Sequence, residues 1–124
     1  MVRSIKENYI FRRLYHRGST AGNRLLVLYC LRNGKGFNRI GITVSAKLGH
    51  AVVRNRVRRR LREVYRLHEA HFRPGFDIVV VARSRAVEAE FADLTSAYLA
   101  LADKLHLLAP DPAADDTPTV EPAP

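Results

Sequence analysis

A chain of 124 residues that is 47% hydrophobic can bury a core, which suits a single compact domain and excludes a disordered basic peptide. Its net charge of +9 is more than solubility asks of so small a domain, and it points to a polyanionic partner. Cys30 is the only cysteine, which excludes an internal disulfide and a cysteine-rich zinc site, and no apolar run approaches membrane-spanning length.

The first predicted element is a helix from Ser4 to Arg17. Ser4 and Glu7 fit a capping box, Asn8 is an equally good N-cap, and Gly18 is a natural stop. Ile10 and Leu14 face a core, while Phe11 and Tyr15 make a second i,i+4 pair roughly 100° round the helix. Two strand-like runs follow, Arg24 to Arg32 and Arg39 to Val44, with Asn33-Gly34-Lys35-Gly36 between them as a hairpin loop. The first is apolar on both faces and is either covered on both or lines a groove with one. Cys30 lies within it and reads as a small core residue. In the second, Ile40, Ile42 and Val44 alternate with Arg39, Gly41 and Thr43, so that one face is exposed.

A loop, Ser45 to His50, leads into a helix running to about Phe72, ended by Arg73-Pro74-Gly75. Phe76 to Ala82 is a short buried strand. Glu88 to about Leu107 is an amphipathic helix with Phe91, Leu94, Tyr98, Leu101 and Leu105 at helical spacing. From Ala109 the chain is mostly Pro, Ala, Asp and Thr and is expected to be disordered. The domain is therefore placed at residues 1–108 and an acidic tail at 109–124.

The helix around AVVRNRVRRRLREVYR, residues 51–66, carries seven arginines in sixteen positions. Val53, Val57, Leu61, Val64, Tyr65, His68 and Phe72 fall within an arc of about 120° and would pack. Asn55, Arg58, Arg59, Arg62, Arg66 and Arg73 gather on an adjacent arc of about 100°. A solvated helix face is usually balanced by acids at i,i+4, yet only Glu63 and Glu69 are available here. Repulsion on that scale is tolerable when a partner supplies negative charge, and arginine suits forked contacts to phosphate. The charge is also divided along the chain. Residues 1–75 hold 18 Lys or Arg against three acids, whereas residues 76–124 hold three against nine. The polyanion site is accordingly expected in the first 75 residues.

Phe11, Tyr15 and Tyr29 are either core residues or stacking surfaces for single-stranded nucleic acid. A metal-dependent nuclease needs clustered carboxylates, and the first 75 residues have no cluster. His16, His50, His68 and His71 leave histidine chemistry formally open, and the His68–His71 pair alone is a weak metal site. No Walker-type glycine loop is present. No residue of the chain is assigned as catalytic or as a metal ligand.

The order of elements and GITVSAKLGHAVVRNRVRRRLRE, residues 41–63, resemble the protein subunit of bacterial ribonuclease P. Arg54-Asn55-Arg56, followed by Arg58, Arg59 and Arg62, is similar to that family's RNR signature. Phe11, Tyr15, Arg17 and Gly18, ahead of Asn23-Arg24 and Val27-Leu28-Tyr29, resemble its N-terminal pattern, and the likeness covers about residues 4–107. The chain departs from the pattern at His50, where Asn is common, at Ala46, where lysine is frequent, and at Tyr15, which replaces a frequent phenylalanine.

The resemblance implies an α/β sandwich: a small mixed sheet of three or four strands with three helices in the order αββ(β)αβα, including a left-handed βαβ crossover. It implies a non-catalytic subunit of an endoribonuclease whose RNA subunit removes the 5′ leader from precursor tRNA. Mg²⁺ would act through the RNA and the substrate, with none bound by the protein alone. The RNA-facing set would be Lys47, Arg54, Asn55, Arg56, Arg58, Arg59, Arg62 and Arg66. The leader groove would be formed by Phe11, Arg12, Tyr15 and Tyr29. Partners would be the catalytic RNA and precursor tRNA, with no membrane. The N-terminus lacks a signal-peptide apolar region, so the cytoplasm is the expected location. The rival readings are a generic RNA-binding or ribosome-associated protein and a self-sufficient nuclease.

Overall fold

Seven residues, Phe76–Ala82, form one of the two inner strands of the sheet, and their composition explains why. They are apolar on both faces apart from Asp77, and such a strand is stable only where both faces are covered. A computed structural model of the chain describes residues 2–109. The elements are α1 (Asn8–Arg17), β1 (Ser19–Gly22), β2 (Leu26–Arg32), β3 (Arg39–Thr43), α2 (Ala51–His68), β4 (Phe76–Ala82) and α3 (Phe91–Lys104). The strands lie in the order β1-β2-β4-β3. β4 runs antiparallel to β2, with Val80 opposite Leu28, and parallel to β3, with Val80 opposite Ile42. The fold is thus the three-helix, mixed-sheet α/β sandwich that was expected, with four strands.

The place of β4 between β2 and β3 corrects the hairpin expected at Asn33–Gly36. β2 and β3 are not neighbours, so that segment bridges over the start of β4. Asn33 holds it there: its side-chain amide donates to the Phe37 carbonyl and to Asp77, its Oδ1 accepts from the Lys35 N–H, and its own N–H donates to the Gly75 carbonyl. Asp77, the only acid in the sheet, is buried and held by two 2.8 Å hydrogen bonds from the Arg39 guanidinium. Hydrogen bonding to Asp77 keeps the Arg39 pKa above its ordinary value.

The first helix starts at Asn8, with Glu7 as N-cap, and the expected Ser4–Glu7 capping box does not form. Residues 3–5 instead run along the outer edge of β3. The Ile40 N–H donates to the Arg3 carbonyl at 2.8 Å and the Ile5 N–H to the Ile40 carbonyl at 2.9 Å. An open strand edge offers these backbone groups full pairing, which a frayed first helical turn cannot. Gly18 does end α1, but with φ near −71° and thus not in the left-handed region. Its role is close approach: a Cβ there would lie 2.6 Å from the Leu14 carbonyl oxygen and 2.9 Å from that of Cys30.

β1 was not legible as a strand of its own. Ser19-Thr-Ala-Gly is small and mostly exposed, as befits a short edge strand, and β2 templates it. Leu26, Leu28, Cys30, Ile40, Ile78 and Val80 cover one face of the sheet and pack against α2 and α3. On the other face Val79 packs with Ile5, Ile10 and Leu14, with Phe11, Tyr29, Leu31 and Val81 around them.

Val57, Leu61, Val64 and Tyr65 are the buried stripe of α2, as the periodicity predicts. Its α-helical part ends at His68, four residues earlier than expected. A 3-10 turn, Glu69–His71, then brings Phe72 into the core, where it meets Tyr65 and Tyr98 edge-on at 4.8 and 6.3 Å. α3 begins at Phe91, not Glu88, and buries Leu94, Tyr98 and Leu101 as expected. The disorder expected of the tail concerns residues that, from 110 on, lie outside those described.

Candidate nucleic-acid interface

α2 holds its arginines in different ways, although the sequence presents them alike. Arg54 turns back, its Nε donating to the Gly49 carbonyl at 3.1 Å, and so braces the loop before the helix. Arg56 reaches the Val87 carbonyl at 3.5 Å and Arg60 the Ala89 carbonyl at 2.6 Å, tying α2 to the approach to α3. Arg58 donates to the Asn55 side chain at 2.9 Å. Arg66 forks onto Glu63, at 2.8 and 2.5 Å. That hydrogen bonding holds the Glu63 carboxyl below the usual carboxylate range. Arg59 and Arg62 are exposed, with no hydrogen-bond partner among the described residues. A short i,i+3 ion pair and a few carbonyls therefore occupy some guanidiniums and leave Arg59 and Arg62 open to an outside anion.

The amino-terminal end of α2 adds to the field. Its first turn holds no acid, and His50, the N-cap residue, makes no side-chain capping bond. The free N–H groups there present the positive end of the helix dipole. Lys47 stands just before it in a 3-10 turn, Ala46–Leu48, whose N-cap Ser45 accepts the Lys47 N–H.

The aromatic residues of the expected groove do come together, on the opposite face of the sheet from α2. Tyr15 lies 5.0 Å from Tyr29 in an edge-on arrangement and 6.5 Å from Phe11, and its hydroxyl hydrogen-bonds that of Thr43 at 2.8 Å. Tyr15 is exposed, Phe11 and Tyr29 are half-buried, and Arg12 is exposed beside them. These rings thus line a surface and are not enclosed in the core. Thr43 and Gly41 belong to this groove and were missed. Alternation alone assigned their face of β3 to solvent, whereas Gly41 is buried beneath Phe11, and a Cβ there would stand 2.7 Å from two of its ring carbons.

A small cleft of about 130 Å³ is bordered by residues of both candidate surfaces. Phe11 and Gly41 line one side of it, and Arg58 and Arg62 reach it from α2. Val2, Ser4 and Ile5, from the segment along the outer edge of β3, complete its lining.

No group of three or more His, Cys, Asp or Glu side chains that could hold a metal is found among the described residues. Two acids are engaged by arginines, Glu63 by Arg66 on α2 and Asp77 by Arg39 in the sheet. His68 directs Nδ1 to the Val64 carbonyl at 2.8 Å, the geometry of a helix residue bonding to its own preceding turn. No helix among the described residues is long and apolar enough to cross a membrane.

A family model described as Ribonuclease P matches residues 2–106. The ribonuclease P protein component of Alkaliphilus oremlandii is 41% identical over 107 residues, covering 86% of this chain and 94% of that protein. That of a Thermoanaerobacter species is 45% identical over 105 residues, covering 85% and 90%. Among solved structures, the Staphylococcus aureus RNase P protein superposes with a TM-score of 0.80 at 32% identity, covering 88% of this chain and all of that one. The Thermotoga maritima RNase P protein gives 0.73 at 27% identity, covering 79% and 93%.

Proposed function

Because the chain belongs to the ribonuclease P protein family, we propose that it assists a catalytic RNA in removing the 5′ leader from precursor tRNA. In this reading α2 grips the RNA subunit, with Arg59 and Arg62 on phosphates, Arg58 beside them and Lys47 near the amino-terminal end. Phe11, Arg12, Tyr15 and Tyr29 hold the single-stranded leader by stacking and charge. The observation that carries it is the cleft lined by Phe11 together with Arg58 and Arg62, which sets the aromatic groove and the arginine face side by side. Arg54 also braces the loop before α2, Arg56 stays exposed on the RNA-facing surface, and Arg66 is partly neutralised by Glu63.

The cutting chemistry lies in the RNA. In this reading Mg²⁺ acts through the RNA and the substrate, and the holoenzyme works in the cytoplasm. The protein supplies binding and orientation of the leader, which lowers the cost of bringing substrate and catalyst together.

Reconstitution with a bacterial catalytic RNA tests this. Leader removal should require the RNA, and Phe11→Ala should weaken binding of leader-bearing substrate while leaving affinity for the RNA subunit nearly unchanged. Cleavage by the protein alone would overturn the division of labour. Binding indifferent to the leader in the assembled particle would favour a generic RNA-binding protein, and equal loss of both affinities in Phe11→Ala would mark a packing defect.

A further inference from the structure

Arg83 and Arg85 lie in the half of the chain where acids outnumber bases, yet the fold returns them to the basic end of the molecule. β2 begins where β4 ends, with Leu26 opposite Ala82, so the turns after β1 and β4 are neighbours. The main chain ties them together, the Arg83 N–H donating to the Leu25 carbonyl at 2.9 Å. The Arg83 guanidinium adds a 2.9 Å bond to the Asn23 carbonyl. Between the turns lies a concavity of about 410 Å³ lined by Asn23, Arg24, Arg83, Ser84 and Arg85. Its lining holds three guanidiniums and no carboxylate.

This corner shares Arg24 and Arg85 with a wider groove of about 890 Å³, to which Lys47 contributes from the loop before α2. The α3 side of the groove carries Glu88 and Asp93. An anion entering the groove is therefore repelled by α3 and drawn to the arginine corner. Arg24 and Arg85 are exposed and have no hydrogen-bond partner among the described residues, so their donors are open.

We propose that this corner is a second phosphate-binding site, which takes the phosphodiester backbone of the same folded RNA that α2 grips. The proposal rests on the reading of α2 as an RNA-gripping helix and extends that surface through Lys47 to the end of the sheet. Continuity favours this occupant over the leader: the corner adjoins the start of α2, whereas the aromatic groove lies under α1 on the other face. Guanidiniums converging from two turns match the spread oxygens of a phosphodiester better than a single charge would.

The test is the salt dependence of binding between the full-length protein and the catalytic RNA. Arg24→Gln and Arg85→Gln should each lower the log–log slope by about 0.7–0.9, and the double variant by about 1.4–1.8, while the corresponding lysine variants keep the slope. Arg83 is left intact because it holds the turn. Arg59→Gln, on α2, is measured in parallel. If Arg59→Gln lowers the slope and the loop variants do not, the second site is overturned and the α2 reading stands. If none of them lowers it, the α2 reading falls too. If the loop variants alter the slope only for precursor tRNA binding to the assembled holoenzyme, the RNA subunit is the wrong occupant.

Discussion

Individual positions here are set by what lies next to them in space. Gly41 is the clearest case, since its missing Cβ is the seat of the Phe11 ring. Gly41→Ala should push that ring outward, at an overpacking cost of about 1–3 kcal/mol. Denaturant midpoints should fall and leader binding should weaken, with affinity for the RNA subunit retained; an unshifted midpoint would show that the ring accommodates the methyl group freely. His50 is the opposite case, a position left unoptimised. It has extended N-cap geometry (φ −71°, ψ 171°) but makes no capping bond. An asparagine side chain can accept from the free first-turn N–H groups, so His50→Asn should stabilise the protein by about 1 kcal/mol. A raised urea midpoint with unchanged m-value is the expected readout.

At the level of the element, α2 divides its work by face. Val57, Leu61, Val64 and Tyr65 are buried, and with one side anchored the arginines project from a rigid rod. Arg59→Gln should lower the log–log salt slope of RNA binding by about 0.7–0.9, the signature of one lost phosphate contact. Glu63→Gln should act in the opposite direction, raising affinity and slope, because it releases Arg66 from its forked pair. The same pair has a defined pH response. Hydrogen bonding from Arg66 lowers the folded-state pKa of Glu63, so its contribution is fully present above the unfolded carboxylate value of about 4.3 and is lost as pH falls through the lower folded value. The gain from Glu63→Gln should therefore be seen at neutral pH and shrink under acid conditions; a gain that persisted there would point to another cause.

For the molecule as a whole, charge is divided along the chain, and this gives a further test. Residues 110–124 include Asp111, Asp115, Asp116 and Glu121 and no basic residue. If these acids screen the arginine face, a chain ending at Ala109 should bind non-specific RNA more tightly at low salt and equally at high salt, where such screening is lost. Unchanged low-salt binding would dismiss the idea. By itself, the sequence determined the elements whose periodicity is strong: the buried stripe of α2, the doubly apolar β2 and β4, the Ile10–Leu14 face of α1, and the excess of arginine that calls for a polyanion. These are local properties, read from neighbours three or four residues apart or alternating along a strand. Tertiary structure alone decided that β4 separates β2 from β3, that residues 3–5 pair with an edge and shorten α1, that Gly41 lies under Phe11, and which arginines remain open. It also brought Arg83 and Arg85 beside Arg24 across a long stretch of sequence. The physical reason is that strand order, ion pairing and close approach are contests between distant segments for the same backbone groups and the same space, and the chain's local pattern does not encode who wins them.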